Sequence, residues 1–173
     1  MRRMPRWGMV CCLTLEGVAL AVWVGGMIVL SGAVIPAVFN TFGGQDSGGM
    51  FLTRAFEGYH RFVIGAGSVL AVAMLGRWWS GEPRVMVSVS EIMVVIMMVV
   101  IAGGIILVLH PEAAALQAQA FATKDETAKK AAFEAFFRVL LPIRSLYMVN
   151  LVLGLLLIGI RAKRVMEHGG RQS

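Results

Sequence analysis

Cysteine, histidine and acid are all scarce in this chain. Its 173 residues hold two Cys, three His and ten Asp or Glu, against sixteen Lys or Arg. The cysteines are neighbours, Cys11 and Cys12. Adjacent helical residues point in different directions, so these two do not bridge each other, and no zinc spacing exists. A disulfide scaffold and a zinc module are thereby excluded. Serine and threonine occur without a nucleophile elbow or a base at a suitable spacing. No glycine-rich phosphate loop, internal repeat or low-complexity tail is present. The expectation is a protein that is not an enzyme.

Apolar sequence is what the chain has in excess. It is 58% hydrophobic with a mean hydropathy of +0.76. Four long apolar stretches cover residues 10–39, 62–79, 85–109 and 139–160. Each is near or above the roughly 20 residues a helix needs to cross a hydrocarbon core of about 30 Å. The predicted fold is all-α: one integral membrane domain, a four-helix bundle filling residues 1–173. The basic, apolar N-terminal run resembles a signal peptide. The apolar run continues past Trp23 without a convincing cleavage site, so it reads as an uncleaved first span.

The net charge of +6 is arranged by side. Nine basic residues fall on the side of the termini: Arg2, Arg3, Arg6, Arg77, Arg84, Arg161, Lys163, Arg164 and Arg171. Only Glu82 and Glu167 offset them. Seven fall on the other side (Arg54, Arg61, Lys124, Lys129, Lys130, Arg138, Arg144), offset by six acids. Lysine and arginine in short loops stay inside. This places both termini in the cytoplasm, with a bacterial cytoplasmic membrane as the expected location. The positive charge reads as topology and contact with anionic lipid; no nucleic-acid partner is expected.

Along the chain, Gly25 and Gly32 are two turns apart and share a face, which lets another helix approach inside the bundle or in a homo-oligomer. Pro36 is expected to bend or end the first helix. Gly43, Gly44, Gly48 and Gly49 predict a flexible turn region, followed by a short amphipathic lead-in to span two. Arg77-Trp78-Trp79 marks an interface, and the joint after Ser80 reads as a tight turn. Glu112–Phe121 is alanine-rich and predicted helical; Thr123 with Glu126 then fits a capping box, so a second helix of the outer connection is predicted from Lys124. It carries a stripe of Phe133, Phe136, Phe137 and Leu140 and an i,i+4 ladder of Glu126, Lys130, Glu134 and Arg138. This extra amphipathic helix between spans three and four is expected to run into span four with a kink near Pro142.

Ionisable residues inside spans carry a functional hypothesis. Glu16 and Glu91 lie near the cytoplasmic ends of spans one and three, so they can meet at similar depth. They can share a proton or a cation, or simply pair with Arg6, Arg77 or Arg84. His60 and His110 stand at the outer mouths of spans two and three, where two imidazoles can hold haem iron or copper. They serve equally as interfacial residues. Arg144 lies some five residues into span four and must pair, with Glu57 as a candidate partner, or snorkel; Asn150 lies deeper. Met93 and Met97 share a face; thioethers suit copper(I), but methionine is also ordinary filler.

A pattern of motifs then accumulates in order: Trp23-Val24-Gly25-Gly26, Ile35-Pro36-Ala37-Val38-Phe39, Gly48-Gly49, Phe56-Glu57-Gly58-Tyr59, and late Phe137, Ser145 and Asn150. In this the chain resembles the small four-span family that includes eukaryotic transmembrane protein 205 and bacterial members called domains of unknown function. The resemblance implies a four-helix membrane protein without an established reaction, whose eukaryotic branch is associated with platinum-drug resistance. That family is in turn distantly similar to copper-resistance and haem-related membrane proteins. Many of its members carry a histidine where this chain has Pro142. The reading is a non-enzymatic transport, resistance or assembly module needing no cofactor, its partners the lipid bilayer and a second copy or membrane protein. Its rivals are haem or copper handling through His60 and His110, and a proton- or cation-coupled carrier using Glu16 and Glu91.

Overall fold

The computed structural model describes residues 6–42, 45–80, 86–123 and 125–169, and each segment carries one long helix. Helix one covers residues 6–42, with π-helical segments at Ala21–Gly25 and Leu30–Val34; helix two is Gln45–Ser80. Helix three covers residues 89–122, with a π-helical segment at Ile105–Leu109; helix four is Glu126–Gly169. The turn expected after Ser80, the glycines Gly43 and Gly44, and Arg2, Arg3, Arg84, Lys124 and Arg171 lie outside the described residues.

Four windows are long and apolar enough to span a membrane: Trp7–Phe42, Gly48–Ser80, Val89–Ala122 and Thr127–Arg164. The chain is an all-α bundle of membrane-spanning helices. Its large exposed side chains are apolar, Phe62, Val72, Val100, Leu107 and Val152 among them. A surface this apolar calls for hydrocarbon around it. Trp7, Trp78 and Trp79 are exposed at the end that holds the chain termini, as rings at a headgroup boundary are.

The helices outrun the apolar stretches. Helix four has 44 residues, roughly 65 Å at 1.5 Å per residue. The amphipathic helix expected between spans three and four exists as the opening turns of helix four, not as a separate element. It pairs with His110–Ala122, the continuation of helix three, in a helical hairpin. Its cap differs from the expected one. Asp125 accepts from the amides of Thr127 and Ala128, each at 3.3 Å, while Thr123 donates back to the Gln119 carbonyl at 2.8 Å. Thr123 therefore closes the preceding helix, and the shorter carboxylate of Asp125 opens the next. Helix four continues without interruption through Pro142, which is exposed.

Residues 45–49 are helical rather than a flexible turn. Their glycines serve close approach: a Cβ on Gly48 would lie 3.2 Å from Val38 Cγ1, and one on Gly49 would lie 2.8 Å from Gln117 Nε2. The lead-in expected before span two is likewise part of helix two itself. Pro36 neither ends nor interrupts helix one. The π-helical Leu30–Val34 ends two residues before it, and the wider turn eases the crowding of the proline ring against the preceding carbonyls.

Helix four presents Ile143, Tyr147, Asn150, Gly154, Leu157 and Arg161 inward, in alternating steps of four and three. Helix three follows the same rhythm through Glu91, Val95, Met98, Ala102 and Ile105. The rhythm would next bury 109 and 112. Instead Ala113, Gln117 and Ala120 are buried. The π segment at Ile105–Leu109 absorbs the one-residue slip.

Within the bundle, the close-packing glycines are not the expected pair. A Cβ on Gly25 or Gly32 would meet nothing within 4 Å, so their shared face is open. Gly26 packs under Tyr59, where a Cβ would lie 2.7 Å from the ring, and Gly154 packs against Val24 at 2.5 Å. Gly26→Ala and Gly154→Ala are expected to destabilise by roughly 1–3 kcal/mol through overpacking. Gly25→Ala and Gly32→Ala are expected to be neutral or slightly stabilising through helix propensity. Thermal unfolding in detergent reads this; equal losses in all four variants would refute the assignment.

Candidate functional site

Polar side chains gather in two layers. At the end of the termini, Glu16 of helix one and Glu91 of helix three are 1% and 0% exposed. Arg77 Nη1 of helix two donates to Glu16 Oε2 at 2.6 Å and lies 3.5 Å from Glu91 Oε2. Helix four adds two more arginines. Arg161 Nη2 is 3.0 Å from Glu16 Oε2, and Arg164 Nη1 is 2.6 Å from Glu91 Oε1. All four helices are thus tied at one end by charge. Ser88 caps helix three by accepting from the Glu91 amide at 3.2 Å, and Glu91 sits in the first turn, where the helix dipole favours an anion.

Glu16 and Glu91 do meet, and Arg77 is one of the partners anticipated for them. Arg84 and the side chain of Arg6 lie outside the described residues. Arg161 and Arg164 were missed as members of this layer. The signal for them was present: both extend the inward stripe of helix four by its own steps of four and three. Arg164 also donates to the Met86 carbonyl at 2.8 Å, tying the start of the third segment to helix four.

At the hairpin end, His60 and His110 come together edge to face, with ring centroids 4.6 Å apart. His60 Nε2 lies 2.6 Å from the Tyr147 hydroxyl, and His110 hydrogen-bonds to the main chain of Thr53. The Thr53 hydroxyl lies 2.6 Å from Gln117 Oε1. Tyr59 donates to the Trp23 carbonyl at 2.6 Å, and Asn150 Nδ2 to the Met98 carbonyl at 3.2 Å. Tyr147, Tyr59, Thr53 and Gln117 were not anticipated from sequence; only the inward stripe of helix four pointed to Tyr147. Arg144 joins neither layer. It follows the inward Ile143 by one position and is exposed, as is Glu57. Met93 and Met97 are also exposed, on the outside of the bundle.

His60 and Arg77 are 17 positions apart on uninterrupted helix two, a rise of roughly 25 Å. The layers therefore bracket a thickness close to that of a hydrocarbon core, about 30 Å. Between them the fully buried Leu70, Met98 and Leu157 fill the interior.

Residues 18–122 match the model of a domain of unknown function, DUF4149, over more than half of the chain. The chain belongs to the DUF4149 family. The DUF4149 match takes in Arg77, Glu91 and both histidines and stops short of Glu16 and all of helix four. No curated protein and no solved structure matches the chain.

For a metal, the two imidazoles stand alone. Among the described residues no group of three or more His, Cys, Asp or Glu is placed to hold an ion. His60 Nε2 is engaged by Tyr147, and His110 by Thr53. The His60–Tyr147 contact behaves as a buried hydrogen bond. Tyr147→Phe is expected to lower stability by roughly 1–3 kcal/mol, because His60 is left buried without its partner. His60→Phe with Tyr147→Phe should then lose less than the two singles summed. Chemical unfolding in detergent measures both, and strict additivity would sink the pairing.

Proposed function

We propose that this DUF4149 chain is a non-enzymatic module of a cell membrane, with both termini cytoplasmic, that meets its ligand or partner from the hairpin end. One observation carries the reading. The intramembrane carboxylates of Glu16 and Glu91 are both committed to arginines within 2.6 Å. A carrier that moves protons or cations on these groups must release one of them from its arginine. Breaking one partner out of a buried pair costs on the order of 3–5 kcal/mol.

The hairpin end offers more to a partner. It combines the histidine layer with the ladder of Glu134, Lys130 and Arg138 on the opening turns of helix four. The orientation rests on the basic residues near the termini and on Trp7, Trp78 and Trp79 beside them. A bacterial cytoplasmic membrane fits this distribution. The resemblance to the family of transmembrane protein 205 supports the same reading, since it implies a four-span protein without an established reaction whose eukaryotic branch is associated with resistance. Assembly or resistance suits the bundle better than carriage, because Leu70, Met98 and Leu157 close the interior between the layers.

Proteoliposomes with an imposed pH gradient test this. Vesicles holding the wild-type protein are expected to keep the gradient as long as empty vesicles do. Faster collapse with the wild type, slowed by Glu16→Gln or Glu91→Gln, would overturn the module reading in favour of the carrier.

A further inference from the structure

The hairpin-end layer leaves one polar atom without a partner. Asn150 is 5% exposed and lines a cavity of about 20 Å³ walled by all four helices. Its NH2 group donates to the Met98 carbonyl. That bond fixes the amide orientation, since a carbonyl accepts from nitrogen and repels the amide oxygen. Asn150 Oδ1 is buried and has no hydrogen-bond partner among the described residues. Isolating an acceptor in this way is costly in any bundle, and more so in a membrane.

His60 and Tyr147 line the same cavity, while most of the remaining wall is apolar, with Trp23, Met27 and Ile105. The π-helical segments of helices one and three both contribute to it, through Trp23 and Ile105. Such segments recur at functional sites. Here they lie where the interior is left open. The lining contains no carboxylate, so nothing in it would balance a cation. A buried water needs about 10–15 Å³ and roughly two to four polar partners. This cavity has the volume and the polar side chains of Tyr59, His60, Tyr147 and Asn150 in its wall, the Tyr59 hydroxyl being spent on the Trp23 carbonyl.

We propose that the cavity is a binding site for one small uncharged hydrogen-bond donor, a water molecule in the resting protein, held between Asn150 Oδ1 and the Tyr147 hydroxyl. The water joins His60, Tyr147 and Asn150 into a single chain. With Tyr147 donating to His60 Nε2, the water donates to both the tyrosine oxygen and Asn150. With His60 donating from Nε2, Tyr147 turns to donate to the water, which still donates to Asn150. The site accepts either direction, because water both donates and accepts. This deepens the hairpin-end reading and rests on it only for the claim that ligands arrive there. A dry cavity would overturn the water site and leave the gradient measurement unchanged.

Water-to-protein magnetisation transfer on labelled protein in lipid tests the proposal. A cross-peak from water to the Asn150 side-chain NH2 is expected in the wild type, weakened several-fold in Tyr147→Phe. In Asn150→Leu the water signal at the His60 ring should be lost. The wild-type spectrum is decisive even where a variant folds poorly. No water cross-peak at Asn150, or uptake of xenon into the wild-type cavity, would show an empty apolar void and overturn it.

Discussion

Two carboxylates withdrawn from water must be neutralised where they stand, and the rest of this bundle is arranged around that requirement. Glu16 and Glu91 are almost wholly buried, and Arg77, Arg161 and Arg164 reach them from two other helices. In lipid there is no water to take over if a helix drifts. Apolar side chains offer little preference between one helical register and another, because the lipid tails are equally apolar. A shared set of ion pairs does. It sets the depth of all four helices at one end, and the stripes above it follow by periodicity.

The other end is held differently. There the contacts are neutral hydrogen bonds and aromatic packing: Tyr59 on the Trp23 carbonyl, His60 on Tyr147, Phe56 stacked on Tyr147 at 5.4 Å. Such contacts are weaker than charge pairs in a dry medium, and they leave a cavity and an unpaired acceptor. The π-helical turns fall at this end too, and the slip they introduce in helix three turns Ala113, Gln117 and Ala120 inward. The bundle thus has a locked half and an adaptable half. In the second, Asn150 Oδ1 offers a ligand a neutral acceptor beside a cavity.

Much of this was legible in the sequence. Four apolar runs of spanning length pointed to the membrane and to four long helices. Glu16 and Glu91 stood out because charge inside a span is conspicuous, and the histidines because they stood at span mouths. Arg161 and Arg164 were hidden by their surroundings: arginines at a span end look like topology signals, whichever way they point. Arg144 shows how finely this depends on position, since one step on a helix separates the inward Ile143 from the exposed arginine. Gly25 and Gly32 share a face, but periodicity does not say which face another helix occupies; Gly26 and Gly154 took that role. The helix ends were the least legible. Beyond the hydrocarbon, alanine-rich and charged turns continue the helices with no change that hydropathy registers, and Asp125 and Thr123 are both good capping residues.

The central claim is that the buried ion pairs at the end of the termini hold the four helices in register. A double-mutant cycle on Glu16 and Arg77, with Glu16→Gln, Arg77→Met and both together, tests it most directly through unfolding in lipid-detergent mixtures. Coupling of about 1–3 kcal/mol, with the double variant clearly more stable than the summed singles imply, is the expected result. Losses that simply add would mean that the two side chains act independently, and the register would have to come from apolar packing alone.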